Sequence, residues 1–260
     1  MTQNRELAGV FAHAGVAASY RHRPPYPDQV FDLLVGLMPS GPGAVLDLGA
    51  GEGALARPLS ERVERVDAVE LSEAMIATGQ NRPGGRRSNL RWILGAAEAA
   101  AMDGPYALIT AGASLHWMDW PRLMPRLRAA LSPGGVLAIV EHGPRDVPWQ
   151  AAVVEVIRRH SRSRDYDPAF SIVDALRERG FLEPLGQIET EPERFRQLTA
   201  DYVEQFHSTS SLAREHMSPA EASEFDEAIT RAVAPWVVDG ALEMDVVATI
   251  SWGTPSEPHS

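Results

Sequence analysis

Val45-Leu-Asp47-Leu-Gly49-Ala-Gly51-Glu-Gly53-Ala54 reads as a short apolar strand that runs into a glycine-rich turn and then a helix. The turn needs glycine because its backbone passes close to a ligand and takes dihedrals that a Cβ disfavours. The helix start presents oriented N–H groups to an anionic group. The next alternating run, Val66-Asp-Ala-Val-Glu70, ends on a carboxylate. At that place a carboxylate can accept hydrogen bonds from both hydroxyls of a ribose. The pair reads as a nucleoside site. Gly49-Ala-Gly-Glu-Gly-Ala54 also satisfies the dinucleotide pattern G-x-G-x-x-G/A. Asp47, two residues ahead of Gly49, suits an ammonium-bearing ligand better than a pyrophosphate and disfavours a nicotinamide site.

Outward from this stretch the chain alternates. Leu90-Arg-Trp-Ile-Leu94, Tyr106-Ala-Leu-Ile-Thr110 and Val136-Leu-Ala-Ile-Val140 read as further strands. Helical patterns over 28–37, 74–80 and 121–131, and one ending near Ser60, flank and separate them. Short apolar strands separated by helices predict a parallel sheet buried on both faces. After Glu141 come predicted helices at 149–159 and 172–179, a strand near 185–188, a polar helical block over 200–237 and a strand over 241–251. Ahead of the sheet lies an Ala-rich helical opening, then the turn Tyr20-Arg-His-Arg-Pro-Pro-Tyr-Pro27. The expected organisation is a helical cap segment at 1–40, a core made of 41–195 and 239–253, a helical insertion at 196–238 acting as a lid, and a disordered tail at 254–260.

The chain has 260 residues, 24 Lys+Arg against 35 Asp+Glu, and no Cys; every basic residue is Arg. Without Cys there is no thiolate nucleophile, disulfide or Cys-ligated metal. Without Lys there is no Schiff base and no Walker-type lysine. The net charge of −11 argues against a nucleic-acid or anionic membrane partner. No apolar run approaches the roughly 20 residues of a membrane span. The mildly apolar stretch 8–19 lacks a basic leader and contains His13, so no signal peptide is expected. A soluble cytoplasmic protein is the expectation.

Val45 to Gly53, Val69-Glu70-Leu-Ser, Gly95-Ala-Ala-Glu98, Ser114-Leu-His-Trp-Met-Asp119 and Leu131-Ser-Pro-Gly-Gly135 recur in the order and at the spacings of a known family. On these residues the chain resembles the class I S-adenosylmethionine-dependent methyltransferases. Its nearest resemblance is to the small-molecule type that includes trans-aconitate and ubiquinone-biosynthesis methyltransferases; Tyr20 to Pro27 looks like that family's N-terminal cap. The resemblance implies a Rossmann-like α/β fold, with a seven-strand, mostly parallel sheet, an antiparallel last strand and an inserted helical cap. It implies S-adenosylmethionine as cofactor. The methionine amino group would lie at the Gly49, Ala50 and Gly51 turn, organised by Asp47. Glu70 would hold the ribose, Leu71 would pack on adenine, and Ala97 with Glu98 would meet the adenine edge. The family often has Asp where this chain has Ala96, so the adenine amino contact falls to Glu98. Tyr20, Arg23 and Ser114 complete the implied cofactor set, Arg23 as partner for the methionine carboxylate.

Methyl transfer from a sulfonium is an in-line displacement that needs a base only when the acceptor must lose a proton. His116, after the fourth strand, is the first candidate for that role and His142, after the fifth, the second; the alternative is that His116 and Trp117 pack beneath the cofactor. Tyr202, Phe206, His207 and Trp236 either line an aromatic acceptor pocket or form ordinary core. The remaining histidines lack metal-ligand spacing, and no metal is expected. The arginines between Arg158 and Arg164 read as an exposed helix end. Amino-directed DNA enzymes resemble one another in an Asn/Asp-Pro-Pro-aromatic motif at the end of the fourth strand, where this chain has Thr110-Ala-Gly-Ala113. The expected partner is a small-molecule acceptor, with no nucleic acid and no membrane; oligomeric state stays open. The rival functions are a pericyclase or cyclase that uses the cofactor structurally, a nicotinamide-dependent oxidoreductase, and a non-catalytic cofactor-sensing protein.

Overall fold

The computed structural model describes residues 19–39, 41, 43–162, 170–209 and 211–258. The Ala-rich opening before Ser19, Arg164 of the arginine cluster and the last two residues of the expected tail lie outside them. Among the described residues there are eight strands: β1 Ala44–Leu48, β2 Arg65–Glu70, β3 Leu90–Leu94, β4 Tyr106–Gly112, β5 Leu131–Arg145, β6 Leu182–Glu189, β7 Glu193–Leu198 and β8 Ala241–Pro255. Their order is β3-β2-β1-β4-β5-β8-β6, with β7 also on β8. The β1–β2, β2–β3, β1–β4 and β4–β5 pairs are parallel, and β6 and β7 pair antiparallel with β8. Among the described residues the α-helices are α1 Gln29–Gly36, α2 Ala56–Leu59, α3 Glu73–Gln80, α4 Trp120–Ala130, α5 Gln150–His160, α6 Ile172–Glu178, α7 Thr199–Glu204 and α8 Pro219–Val233.

The central strands are apolar on both faces because helices cover both. Val45, Ala68, Leu108 and Ala138 pack with Val30, Phe31 and Leu34 of α1 and Ala56 and Leu59 of α2. Leu46, Leu48, Ile109 and Leu137 face the other way, against Leu123, Met124 and Leu127 of α4 and Leu176 of α6. Local chemistry starts the helices where expected. The Ser72 hydroxyl accepts from Met75 N–H at the head of α3, and Ser218 with Glu221 closes a capping box on α8.

Two expectations are corrected. The sheet has eight strands, not seven: Glu193-Arg-Phe-Arg-Gln-Leu198 carries too many charged side chains to stand out as a strand, yet it pairs residue for residue with 241–246 of β8. The tail is not disordered from 254 onward. Thr254 and Pro255 continue β8 opposite Glu183 and Leu182, and Ser256 N–H donates to the Phe181 carbonyl at 3.0 Å. A neighbouring strand supplies the order that the local sequence does not.

Contacts divide the chain into two compact units. The larger holds Tyr26–His142, Ser171–Glu191 and the chain from Ala248 onward. The other holds the described parts of Met1–Pro25 and Gly143–Phe170, together with Pro192–Val247; it thus takes in α5, β7 and the first half of β8 as well as the expected insertion. Its core is built from Trp149, Val153, Tyr202, Phe225, Ile229 and Leu242. Trp149 Nε1–H donates to the Tyr202 hydroxyl at 2.9 Å, and Phe206 stands edge-on to both Tyr202 and Phe225. Of the two readings of this aromatic set, Tyr202 and His207 follow the core one, at 3% and 1% exposed. Among the described residues no helix is long and apolar enough to cross a membrane.

Candidate functional site

The site is built at the carboxyl ends of β1, β2 and β4, where the strand order reverses and an open parallel sheet forms its crevice. The glycine loop leaves β1 with Gly49, Gly51 and Gly53 all at positive φ, +62°, +58° and +79°. Two of these glycines answer to a neighbour as well as to the backbone. A Cβ on Gly49 would lie 2.6 Å from Ser114 Cβ, and one on Gly53 would lie 2.7 Å from the Trp92 ring. Ala50 N–H is taken by the Val69 carbonyl at 2.9 Å, which ties the loop to β2.

Glu70 is the clasp. Gly51 N–H donates to its Oε2 and Ser72 N–H to its Oε1, each at 2.8 Å. The carboxylate is buried, at 7% exposure, and both oxygens keep a second lone pair for a ligand. Beside it the surface turns apolar. Leu71 is 57% exposed and Leu94, the register partner of Glu70 at the end of β3, is 58% exposed. Two exposed leucines flanking a buried carboxylate fit the flat ring and the hydroxylated sugar of a nucleoside.

Asp47 lies behind the loop, 2% exposed, on the face otherwise filled by Val45 and Leu108. Its Oδ1 accepts from the Thr110 hydroxyl at 2.8 Å. Burial pushes its carboxyl up to about 7, the Thr110 bond holds it down, the Glu70 charge raises it, and the Ala56 N–H lowers it. Ser114 donates its hydroxyl to the Leu48 carbonyl at 2.6 Å and so joins the turn after β4 to the end of β1.

Ala97 and Glu98 sit on the turn after β3. The Arg126 guanidinium of α4 donates to the Ala97 and Ala100 carbonyls, and Glu98 Oε1 accepts from Asp119 N–H at 2.6 Å just ahead of α4. One Glu98 oxygen is therefore committed to the chain itself. His116 lies in a short 3-10 turn with its ring 4.5 Å from the Trp117 ring. His142 stacks on Tyr26 at 3.9 Å between centroids, and the Tyr26 hydroxyl abuts Gly112, where a Cβ would come within 2.4 Å of it. Tyr20 and Arg23 belong to the other unit. There the Arg23 guanidinium lies 4.2 Å over the Tyr20 ring and donates to the Ser208 hydroxyl at 2.7 Å.

Three supporting groups escaped the sequence reading. Thr110 holds Asp47. Arg82 of the loop after α3 binds Glu52 of the glycine loop through Nε and Nη2, at 3.2 and 2.9 Å. Trp92 wedges beneath the loop between Gly53 and Gly79 and donates its indole N–H to the Gly85 carbonyl at 2.9 Å. Only the Trp92 wedge left a trace in the letters, as a bulky aromatic in a strand next to glycine-rich stretches.

The sequence profile of a family described as "Methyltransferase domain" matches residues 45–135, the span that carries the loop, Glu70, Thr110 and Ser114. Residues 45–135 are a methyltransferase domain. An uncharacterized methyltransferase of Mycobacterium tuberculosis is 32% identical over 174 residues, 65% of this chain and 65% of that protein; the chain thus spans just under two thirds of that relative's length. A trans-aconitate 2-methyltransferase of Variovorax paradoxus is 41% identical over 107 residues, 40% of each chain. In shape, the chain is similar to a solved structure described as a putative type II methyltransferase from Anaeromyxobacter dehalogenans. The TM-score is 0.63 at 25% identity, with 91% of this chain and 99% of that one covered. The α/β fold and the class I resemblance read from the motifs agree with these likenesses. Hydrogen bonds tie Gly51 to Glu70, Asp47 to Thr110 and Ser114 to the Leu48 carbonyl, at the strand ends from which the glycine loop leaves.

Proposed function

We propose that this chain transfers a methyl group from S-adenosylmethionine to an oxygen, nitrogen or carbon of a small-molecule acceptor, as a cytoplasmic enzyme of specialised metabolism. The observation that carries the reading is the glycine loop held on Glu70 within a methyltransferase domain. Bound S-adenosylmethionine supplies an electrophilic methyl carbon, so the protein need not provide a covalent nucleophile. That agrees with a chain lacking both Cys and Lys. The protein's own part is holding and alignment. The Gly49 to Gly51 backbone takes the methionine end, the free lone pairs of Glu70 take the ribose hydroxyls, Leu71 and Leu94 flank the adenine, and Ala97 with Glu98 meets its edge. Alignment against the methyl supplies most of the acceleration of an in-line displacement. His116 orients the acceptor or takes its proton, with His142 as the second candidate.

Acceptor recognition is assigned to chain outside residues 45–135, the 196–238 segment above all. Relatives named trans-aconitate 2-methyltransferase and the −11 charge both support a small molecule over nucleic acid. The test is to incubate the protein with S-adenosylmethionine and panels of phenols, amines and carboxylic acids, reading S-adenosylhomocysteine release and product mass. Release matched by a product one CH2 heavier is expected. An isomer of unchanged mass, formed with the cofactor intact, replaces transfer with cyclisation. In a positive assay with a proton-bearing acceptor, His116→Ala is expected to lower kcat by about 100-fold or more. Retention within a few-fold removes His116 from catalysis.

A further inference from the structure

Asp47 is the penultimate residue of β1 and Glu70 the last of the adjacent β2, but they are held differently. Each Glu70 oxygen accepts a backbone N–H. Asp47 is 2% exposed, and the side-chain donor on its carboxylate is the Thr110 hydroxyl at 2.8 Å. Thr110 is the register partner of Asp47 across the β1–β4 pair and is itself fully buried. Among the described residues, the groups acting on Asp47 from the elements packed around it are Thr110 on β4, Glu70 on β2 and the Ala56 N–H at the start of α2, none of them a cation. A buried carboxyl whose charged neighbour, among the described residues, is another carboxylate holds its proton more tightly than one in water, and a cation brought beside it favours release. The methyl donor of the proposed reaction carries a sulfonium, an ammonium and a carboxylate, a net positive charge.

We propose that Thr110 is a positioning residue of the donor site: its hydroxyl fixes the Asp47 carboxylate and sets the pH at which Asp47 carries the charge that the cationic donor requires. The inference rests on the reading of the chain as an S-adenosylmethionine-dependent enzyme and deepens it. The chemistry balances without a further reactant. Neutral Asp47 releases one proton to solvent as the donor binds, and the carboxylate left behind keeps the Thr110 O–H and Ala56 N–H as donors. Because a donated hydrogen bond favours the charged form, Thr110 lowers the pH of that exchange. Carboxyl burial alone would place it higher still, above the value of about 7 that Asp47 takes with its partners in place. A valine at 110 keeps the β-branched shape and removes the donor; a serine keeps the donor.

Calorimetric titration with S-adenosylmethionine from about pH 5.5 to 8.5, in buffers of different ionisation enthalpy, tests this without turnover. In the wild type, affinity is expected to rise with pH and level off above neutrality, with proton release on binding below the midpoint. Thr110→Val should move that midpoint up by about one pH unit, the worth of one hydrogen bond to a charged group. Thr110→Ser should track the wild type. In an Asp47→Asn background, Thr110→Val should change nothing further, whereas a merely structural role for Thr110 would weaken binding in both backgrounds alike. Wild-type affinity that is flat with pH and free of proton exchange overturns the inference, and so does an equal Thr110→Val effect in both backgrounds. Absence of S-adenosylmethionine binding at every pH instead overturns the functional reading beneath it.

Discussion

Gly51 N–H donates to Glu70 Oε2 at 2.8 Å, so the residue expected to grip the ligand also grips the loop that cradles it. Its other oxygen does the same for Ser72 N–H, the N-cap of α3. Glu70→Gln leaves one acceptor oxygen and turns an amide NH2 toward a buried N–H. An unsatisfied buried donor costs about 1–3 kcal/mol. The variant should lose that stability in urea unfolding and bind S-adenosylmethionine at least about tenfold more weakly by calorimetry. Unchanged values in both measurements would show that the two N–H groups find other partners.

Gly49→Ala meets two obstacles, a φ of +62° and the Ser114 Cβ at 2.6 Å. Adding Ser114→Gly removes the clash but leaves the strained backbone, which costs about 1–3 kcal/mol, and also removes the hydroxyl that bonds the Leu48 carbonyl. The single variant should show sharply reduced cofactor affinity, and the double variant only partial recovery. Full recovery would mean that space alone, and not conformation, requires glycine there.

Asp47 gives the ligand-free protein a distinctive pH dependence. Its folded carboxyl stands near 7 against 3.8 unfolded, so the folded state holds the proton more tightly. This contribution to stability is fully present below about pH 4 and is lost as pH rises through 7. Asp47→Asn carries no such titration. At pH 8 it should melt above the wild type by about 5 °C or more, and near pH 4 the two should converge. Parallel melting curves across that range would contradict the burial argument.

Another buried carboxylate is held by three side-chain hydrogen bonds. Asp67 is fully buried in β2, takes both Nε and Nη2 of Arg91 at 3.0 Å, and accepts the Tyr106 hydroxyl at 2.7 Å. Burial and the Asp67 charge push the Tyr106 hydroxyl well above the usual phenol range, so it remains a donor throughout ordinary pH. Tyr106→Phe removes one bond to a charged group and should cost about 1.5 kcal/mol in denaturant unfolding. S-adenosylmethionine affinity should stay within a few-fold, since Asp67 lies outside the site.

What the letters disclosed was local. The strand–turn–helix at Val45 to Ala54 and the carboxylate of Glu70 are short-range patterns, and the five strand–helix alternations follow from apolar periodicity. What they concealed was lateral. Thr110 meets Asp47 across 63 residues of chain, and Ser114 meets Leu48 across 66, through strand registers that no single window contains. β7 was hidden for the same reason: its charged residues take strand form because β8 is long enough to serve two partners. Glu98 shows the same limit, since its position after the third strand was legible but its bond to Asp119 N–H was not.

The Trp92 wedge bears on how this protein can be re-engineered. Gly79 sits inside α3, where glycine weakens a helix by about 1 kcal/mol relative to alanine, and a stabilisation campaign would replace it early. Yet an alanine methyl there would stand 2.5 Å from the indole and 2.7 Å from the Glu52 carbonyl of the glycine loop. The gain in helix would be transmitted as a push on the loop from below. A smaller residue at 92 would relieve the indole contact and leave the Glu52 carbonyl in the way, so thermal hardening and ligand binding in this corner are a single coupled trait that cannot be tuned one position at a time.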